Sequence, residues 1–221
     1  MAERLRFDYG KIYNVTISRR ADMWFVSFQC EVADWENQAD GIVGIDLGVR
    51  DLATLSDGTV YENPHIEQAF REKIAKAQRD VHRKQKGSKN RRKARTKLAR
   101  LYYRMACARS HSIHKFTSEV ANRYATVCLE DLNVSGMLKN HNLARAISDV
   151  AFGECRRQFE YKAKEVRYVG RFAPSSKTCH VCGYYRQDLK LSEREWVCPQ
   201  CESKHNRDEN AAKNIEKWAT A

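Results

Sequence analysis

The sequence has no long apolar run, no internal repeat and no low-complexity tract. Because a helix that crosses a bilayer needs roughly 20 consecutive apolar residues, we expect no membrane-spanning segment. The first ten residues, MAERLRFDYG, also lack the apolar core of a secretory signal peptide. These absences predict a protein of the reducing cytoplasm.

Acidic residues are outnumbered in this chain. There are 40 Lys and Arg residues against 28 Asp and Glu residues, which gives a formal net charge of +12 and a pI near 9.4. Such a balance predicts a polyanionic partner, for which nucleic acid is the default candidate. Apolar residues make up 42% of the 221 residues, so one principal domain with a small appendage is expected.

The cysteines fall into two groups. Four are isolated in the sequence and are expected to be inert thiols: Cys30, Cys107, Cys128 and Cys155. The other four form two Cys-x-x-Cys pairs with 15 residues between them: Cys179 and Cys182, then Cys198 and Cys201. In a reducing compartment this spacing predicts one tetrahedral, structural zinc site, with two redox-active pairs as the alternative.

The N-terminal third of the chain has the pattern of β-strands. Two runs rich in β-formers, Ile12–Ile17 and Trp24–Val32, flank a polar turn and predict a hairpin. Three further strands are predicted at Ile42–Leu47, Leu52–Ser56 and Thr59–Glu62, the last two joined by an Asp-Gly turn. We expect the three to form an antiparallel meander.

The rest of the chain is predominantly helical. Basic helices are predicted from Pro64 to about Tyr124 with a break at Gly87 and Ser88, then a strand at Ala125–Leu129 and one amphipathic helix over Asn142–Glu165. The apolar face of that helix is predicted to contain Leu143, Ile147, Val150, Phe159 and Ala163. A short strand (VRYVG), the cysteine module and a final helix (RDENAAKNIEKWA) follow. This order indicates an α/β fold with a ribonuclease H-like mixed sheet.

Three acidic residues stand out by their positions. Asp46 interrupts an apolar strand, where an ionised carboxylate is unfavourable unless it is paired or binds a cation. Glu130 ends a second apolar strand, and Asp208 lies in the first turn of the last helix. Taken singly, each has a simpler interpretation: an acid bonded to backbone amides, a solvent-facing acid and a helix-capping acid, respectively.

Their joint placement favours a metal site. If the strands of Asp46 and Glu130 are neighbours and the last helix packs across their ends, the three carboxylates converge. Oxygen ligands of this kind suit Mg²⁺ or Mn²⁺, and a pair of such ions roughly 4 Å apart promotes phosphodiester hydrolysis. Asp131 and Glu209 are alternative ligands, but their side chains are expected to face other directions.

A basic run, RKQKGSKNRRKARTKLARLYYR, carries much of the positive charge. Such a run is often only a solvated helix face, but the net charge of the chain favours contact with phosphates here. The candidate residues are Lys86, Lys89, Arg91, Arg92, Lys93, Arg95, Lys97 and Arg100.

Four stretches, GIDLGVRDLATLSDG, LEDLNVSGM, SSKTCHVCG and CPQC followed by RDENAAKNI, together resemble the C-terminal half of TnpB, the transposon-associated RNA-guided nuclease related to type V CRISPR effectors. The resemblance extends from about Ile42 to Trp218. It implies a RuvC-like nuclease with the catalytic triad Asp46, Glu130 and Asp208. It also implies a zinc ribbon at the four paired cysteines, one structural zinc ion and two catalytic Mg²⁺ or Mn²⁺ ions. A DNA substrate, a guide RNA and a prokaryotic or phage-type context follow from it.

The chain differs from the TnpB pattern in length. Family members are commonly longer, with a β-barrel wedge domain and a helical recognition domain, so the N-terminal hairpin resembles a wedge remnant. The expected domains are 1–40 (partial wedge), 41–174 (nuclease core with basic helices 64–124), 175–205 (zinc ribbon) and 206–221 (closing helix). The predicted function is RNA-guided DNA cleavage. The alternatives are a truncated nucleic-acid-binding partner or regulator that does not cleave, and a guide-independent resolvase-like nuclease. A partner chain that supplies the missing domains is a separate candidate partner.

Overall fold

A computed structural model describes residues 10–31, 38–140 and 144–221. The strands are β1 (Ile12–Arg20), β2 (Met23–Cys30), β3 (Ile42–Leu47), β4 (Asp51–Leu55), β5 (Val60–Glu62), β6 (Thr126–Glu130), β7 (Glu165–Val169), β8 (Glu195–Val197) and β9 (Lys204–Asn206). The helices are α1 (Ile66–His82), α2 (Lys89–Arg123), α3 (Val134–Met137), α4 (Ala144–Val150), α5 (Phe152–Lys162) and α6 (Arg207–Thr220). None of the helices in these described ranges has the length and apolar character that crossing a membrane requires.

The chain divides into two compact units. Of the described residues, the first contains 10–31 and 66–108, with the hairpin β1–β2, α1 and the first part of α2. The second contains residues 38–65, 109–140 and 144–221, with the five-stranded sheet, the remaining helices and the cysteine module. The predicted hairpin is confirmed, with its turn at Ala21 and Asp22. Val32, its predicted last residue, lies outside the described residues.

The predicted break between the basic helices is confirmed. Gly87 has φ +85°, a left-handed conformation that glycine adopts without steric cost, and Ser88 Oγ accepts a hydrogen bond from the amide of Arg91. The helix α1 buries Ile74, Ala77 and Val81, which recur every three or four residues. The sequence therefore sets both the end of α1 and the face that it buries.

The second unit contains a mixed five-stranded sheet with the order β5-β4-β3-β6-β7. The meander β3–β4–β5 is antiparallel, as expected, whereas β6 runs parallel to both β3 and β7. The predicted α/β fold with a mixed sheet is confirmed. The strands bearing Asp46 and Glu130 are neighbours, as the sequence analysis required.

The two faces of the sheet pack against different helices. Odd-numbered residues of β3, such as Val43 and Ile45, join the main core. The helix residues of that core include Ile113, Phe116, Val120, Ile147, Val150, Phe152 and Phe159. The opposite face packs against α6, where Cys128, Val169 and Ile215 form a smaller cluster. Even-numbered residues of β3 and β6 therefore face α6.

Gly44 permits the close packing of α6 on β3. A Cβ atom at this position would lie 2.1 Å from the carbonyl oxygen of Ala212 and 2.6 Å from the amide nitrogen of Glu216. Both atoms belong to the helix backbone, so they cannot move aside as a flexible side chain could. The absent side chain at Gly44 thus determines how closely α6 can approach the end of β3.

The prediction of one helix over Asn142–Glu165 is wrong. Two helices, α4 and α5, meet at Ala151, which has the left-handed φ of 49°. Val150 and Phe152 would point about 200° apart on one continuous helix, yet both are 2% exposed in the same core. The change of direction at Ala151 lets both side chains enter that core. Of the predicted apolar face, Leu143 lies outside the described residues and the other four members pack in or against the core.

Candidate functional site

Asp46 lies near the end of β3 on the face covered by α6. It is half-buried and lies opposite Thr54 of β4. The strand places it two residues after Gly44, so it shares the side of the sheet that Gly44 presents to Ala212. The alternation of the strand therefore directs this carboxylate toward the N-terminal part of α6.

Glu130 ends the neighbouring parallel strand. The register pairs Val43 with Val127 and Gly44 with Cys128, and continued for two residues it brings Glu130 level with Asp46. Residues in register on parallel strands point to the same face, so the two carboxylates share one edge of the sheet. Ser175 Oγ donates a hydrogen bond to Glu130 Oε1. Burial raises the pKa of Glu130, and the Ser175 hydrogen bond partly opposes that rise.

Asp208 is the second residue of α6. Asn206 caps the helix, because its Oδ1 accepts hydrogen bonds from the amides of Asp208 (3.0 Å) and Glu209 (3.2 Å). The cap fixes the first turn and thereby the position of Asp208. Arg194 Nη1 donates to both carboxylate oxygens of Asp208, at 3.1 and 3.0 Å.

The three carboxylates interact electrostatically. The pKa of Asp46 is raised well above its usual value, first by burial and then by the negative charges of Glu130 and Asp208. The cations Arg207 and Arg194 oppose this rise without cancelling it. Asp46 and Asp208 also line a common cleft of about 190 Å³. The charged forms of these carboxylates therefore disfavour one another, and a bound cation would relieve that repulsion.

The carboxylates are more widely spaced than the cysteines. Within the described ranges, only the four cysteines offer three or more His, Cys, Asp or Glu ligand atoms within 4.8 Å of one another. Two cations about 4 Å apart need ligands on the outer side of each ion. Carboxylate oxygens that are spaced more widely than the cysteine sulfurs therefore suit a pair of ions. Asp46 and Asp208 line one cleft and Glu130 lies level with Asp46 on the next strand, and hard oxygen donors of this kind fit Mg²⁺ or Mn²⁺.

The two alternative acids are engaged elsewhere. Asp131 pairs with Arg156 at 3.0 Å and with Arg171 at 3.1 Å. Glu209 pairs with Lys213 at 2.6 Å, one turn along α6. Each of these acids follows a member of the predicted triad in the sequence, but its carboxylate is paired with basic side chains away from the cleft.

The paired cysteines come together as the spacing predicts. The Sγ atoms of Cys179 and Cys201 are 3.7 Å apart, and those of Cys182 and Cys198 are 3.5 Å apart. A tetrahedral site with metal–sulfur bonds of about 2.3 Å requires sulfur–sulfur distances of about 3.8 Å. The sulfur positions therefore fit a tetrahedral metal ion such as zinc. The hairpin β8–β9 and the buried residues Leu189 and Trp196 support this ribbon.

The two histidines beside the cysteines lie outside the set of close ligands. His205 is buried, and its Nε2 lies 3.1 Å from Cys179 Sγ, so it contacts a sulfur and not the centre of the four sulfurs. His180 contacts Asn210 Oδ1 through both its backbone amide and its Nδ1. Both histidines thus lie around the predicted metal site, where hydrogen bonds orient the ligands.

Several residues that support the carboxylates were not predicted from the sequence. Asn210 and Asn214 are each 1% exposed and lie one turn apart on α6. Their side-chain amides donate to the carbonyl oxygens of Ser175 and Thr178. They hold the segment that presents Ser175 to Glu130. The sequence signal for these two asparagines is their i, i+4 spacing beside alanines, which predicts that both lie on one buried helix face. The carbonyl oxygens that accept their hydrogen bonds lie more than 30 residues away in the chain, so these partners could not be predicted.

The residues predicted to bind nucleic acid do not all lie on one surface. Five of them line a groove of the first unit: Lys89, Arg92, Lys93, Lys97 and Arg100. Arg104, which was not predicted, lines it too, as does Asp22, which pairs with Arg100. Lys86 lies in the turn before α2, Arg91 donates to the carbonyl of Lys84, and Arg95 is exposed outside the groove.

Comparison with known proteins gives the family. The family model OrfB_IS605, described as "Probable transposase", matches residues 27–141, which is just over half of the chain. The chain belongs to the OrfB_IS605 family. A second model, "Cas12f1-like, TNB domain", matches residues 152–215, which include all four paired cysteines.

Curated relatives of this OrfB_IS605 protein include "Putative RNA-guided DNA endonuclease" of Streptomyces pristinaespiralis, 47% identical over 91% of this chain and 51% of the relative. "Putative RNA-guided DNA endonuclease InsQ" of Escherichia coli K12 is 35% identical over 93% of this chain and 56% of the relative. "TnpB-like protein L79" of Acanthamoeba polyphaga mimivirus is 28% identical over 81% of this chain. The resemblance to TnpB is confirmed. The chain spans about half the length of the first two relatives.

A solved structure has a similar fold. The cryo-EM structure of the CRISPR-Cas12f ternary complex aligns with a TM-score of 0.55 and 20% identity, over 91% of this chain and 44% of that one. At this identity the similarity concerns the fold alone. It agrees with the mixed sheet and the helices described above.

Proposed function

We propose that this OrfB_IS605 protein is a metal-dependent DNA endonuclease of the TnpB type, directed by a guide RNA, with a ribonuclease H-like (RuvC-like) sheet and a zinc ribbon. The observation that carries the proposal is the arrangement of Asp46 and Glu130 on adjacent parallel strands, on the face against which the helix of Asp208 packs. The strand order, with an antiparallel meander beside two parallel strands, supports the ribonuclease H-like assignment. The names of the relatives support the activity.

In this proposal Asp46, Glu130 and Asp208 hold Mg²⁺ or Mn²⁺, and Cys179, Cys182, Cys198 and Cys201 hold one zinc ion. The divalent cations would supply activation of water and neutralisation of charge on the phosphodiester. The protein supplies the positions of the ligands. Ser175 orients the carboxylate of Glu130, and the cap at Asn206 fixes the first turn that carries Asp208.

The groove of the first unit supports a nucleic-acid partner. Six basic side chains and one acidic side chain, Asp22, line a space of about 770 Å³. Rows of Lys and Arg contact phosphates without reading bases, and a guide-target duplex is held through its backbone. We assign Lys89, Arg92, Lys93, Lys97 and Arg104 to phosphate contact, whereas Arg100 is already paired with Asp22.

DNA cleavage assays test the proposal by comparing variants of the proposed metal ligands with variants of the acids that follow them in the sequence. Labelled single-stranded and duplex DNA are incubated with the protein and Mg²⁺ or Mn²⁺, with and without co-purified RNA. Glu130→Gln and Asp208→Asn are expected to lower the cleavage rate by a factor of about 100 or more, because each removes charge from the metal site. The matched controls Asp131→Asn and Glu209→Gln, which alter the next residue in each case, are expected to retain most of the activity.

Two results would contradict the proposal. Equal cutting by the wild type, Glu130→Gln and Asp208→Asn would show that these acids are not catalytic. Binding of RNA without cleavage under any of these conditions would favour the second candidate, a nucleic-acid-binding protein that does not cleave. The groove lined by six basic side chains supports that candidate, because binding phosphates there needs no catalytic acid.

A further inference from the structure

Arg194 connects the cysteine ribbon to the carboxylate cleft. Its Nη1 lies 3.1 Å from Oδ1 and 3.0 Å from Oδ2 of Asp208. One nitrogen therefore faces the lone pairs of both carboxylate oxygens. The side chain of Asp208 is only 20% exposed and that of Arg194 is 39% exposed, so water screens this pair less than it screens a pair on the open surface.

The ribbon holds Arg194 in place through its backbone. The carbonyl oxygen of Arg194 accepts a hydrogen bond from the amide of Arg207 at 2.7 Å. The next residue, Glu195, begins β8 and pairs with Asn206, which caps α6. The backbones that carry Arg194 and Asp208 are thus joined directly, so the guanidinium reaches the carboxylate without an ordering step in a flexible loop.

The neighbouring arginine does not take the same role. Arg207 donates its Nη1 to the carbonyl oxygen of Leu191 at 2.6 Å, and its Nε is 3.5 Å from Asp208 Oδ1 with no hydrogen bond made. Arg194 is therefore the cation that hydrogen-bonds Asp208. Both arginines line the cleft together with Asp46.

A divalent cation and this guanidinium would compete. Mg²⁺ binds a carboxylate oxygen at 2.0–2.1 Å, and the guanidinium nitrogen about 3 Å from both oxygens occupies the inner lone pair of each, where a cation that contacts both oxygens would lie. Two positive groups on one carboxylate also repel each other. A cation on Asp208 must therefore either displace the guanidinium or bind beside it against this repulsion, and either event lowers the affinity for the cation.

We infer that Arg194 is a built-in counter-ion of Asp208 that competes with a divalent cation for this carboxylate, so that the ribbon sets the metal affinity of the carboxylate cleft. This inference rests on the proposed function, because it takes Asp208 as a metal ligand. Arg194 is then a positioning residue for the nuclease site.

Metal binding without nucleic acid tests this inference. The zinc-loaded full chain is titrated with Mn²⁺, and bound Mn²⁺ is followed by electron paramagnetic resonance. Arg194→Gln is expected to lower the Kd for Mn²⁺ about fivefold, which corresponds to about 1 kcal/mol. Arg194→Met should do the same, and Arg194→Lys, which keeps the charge, should restore a Kd near that of the wild type.

The controls separate a structural effect from the proposed one. Arg186→Gln removes another ribbon arginine, which pairs with Asp188 and Glu193, and should leave the Kd unchanged. Zinc content should equal one ion per chain in every variant. A Kd that stays constant or rises in both Arg194→Gln and Arg194→Met would overturn the inference.

Asp208→Asn distinguishes failure of the inference from failure of the proposed function. If Asp208→Asn weakens Mn²⁺ binding and the Arg194 variants do not tighten it, the counter-ion role is wrong and the metal site stands. If Asp208→Asn binds Mn²⁺ as the wild type does, or the wild type itself binds none, the assignment of Asp208 as a ligand is wrong and the inference falls with it.

Discussion

The ribbon and the carboxylate cleft assemble by different routes. Cys179 and Cys201 are 22 positions apart, and the short hairpin β8–β9 brings the second pair of cysteines to the first. The cleft instead depends on contact between α6 and β3, which joins residues as distant as Gly44 and Glu216, 172 positions apart. The cysteine ribbon therefore depends on contacts between segments close in the chain, whereas the cleft depends on the packing of the whole second unit.

Removal of one cysteine sulfur should unfold the ribbon and leave the five-stranded sheet folded. Cys198→Ser is expected to abolish stoichiometric zinc binding, because the binding free energy of a structural zinc site, about 10 kcal/mol or more, also drives its folding. Amide hydrogen exchange should show loss of protection over residues 175–206 and retained protection in β3 and β6. Cys155→Ser, at a buried cysteine outside the ribbon, is the control that keeps its zinc. Parallel loss of protection in β3 would show that the two sites are not separable.

Gly44→Ala should displace α6 from β3, which alters the cleft, and should leave the fold of the ribbon unchanged. The new Cβ would overlap the carbonyl oxygen of Ala212, so α6 must shift, and we expect a loss of about 2–3 kcal/mol in unfolding free energy. Urea denaturation followed by circular dichroism measures this change. Gly153→Ala is the matched control, since nothing lies within 4 Å of its added Cβ, and helical Gly-to-Ala changes stabilise by roughly 0.5–1 kcal/mol. A neutral effect of Gly44→Ala would refute the close packing of α6 on β3.

A smaller effect is expected at the junction of the two regions. Asn206 ends β9 of the ribbon and caps α6 of the cleft. Asn206→Ala should reduce the unfolding free energy by about 1 kcal/mol, whereas Asn206→Asp, which keeps an acceptor, should reduce it little. Urea denaturation of the two variants side by side checks this. Equal losses in both would mean that the side-chain acceptor does not stabilise the helix.

The sequence alone predicted the elements whose signals are local. The strand Ile42–Leu47 has the bounds predicted for it, and the glycine after α1 separates the basic helices as expected. The break at Ala151 was missed because no glycine or proline precedes it and the apolar spacing continues across it. What bends the chain there is the burial of Val150 and Phe152 in one core, which local sequence does not encode.

The roles of the paired side chains also required the tertiary structure. The basic run predicted eight phosphate-binding candidates, but only the fold shows that Arg100 pairs with Asp22, 78 positions away. The domain boundaries and the catalytic assignments stay predictions, which the experiments above address.

By itself, the sequence determined the metal-binding spacing of the cysteines, the net positive charge and the three conspicuous acids, because each is a matter of residue type and local order. Only the tertiary structure decided that β3 and β6 are neighbours in a register that aligns Asp46 with Glu130, and that Arg194 pairs with Asp208. These depend on contacts between segments far apart in the chain, whose free energy is gained only when the whole unit packs.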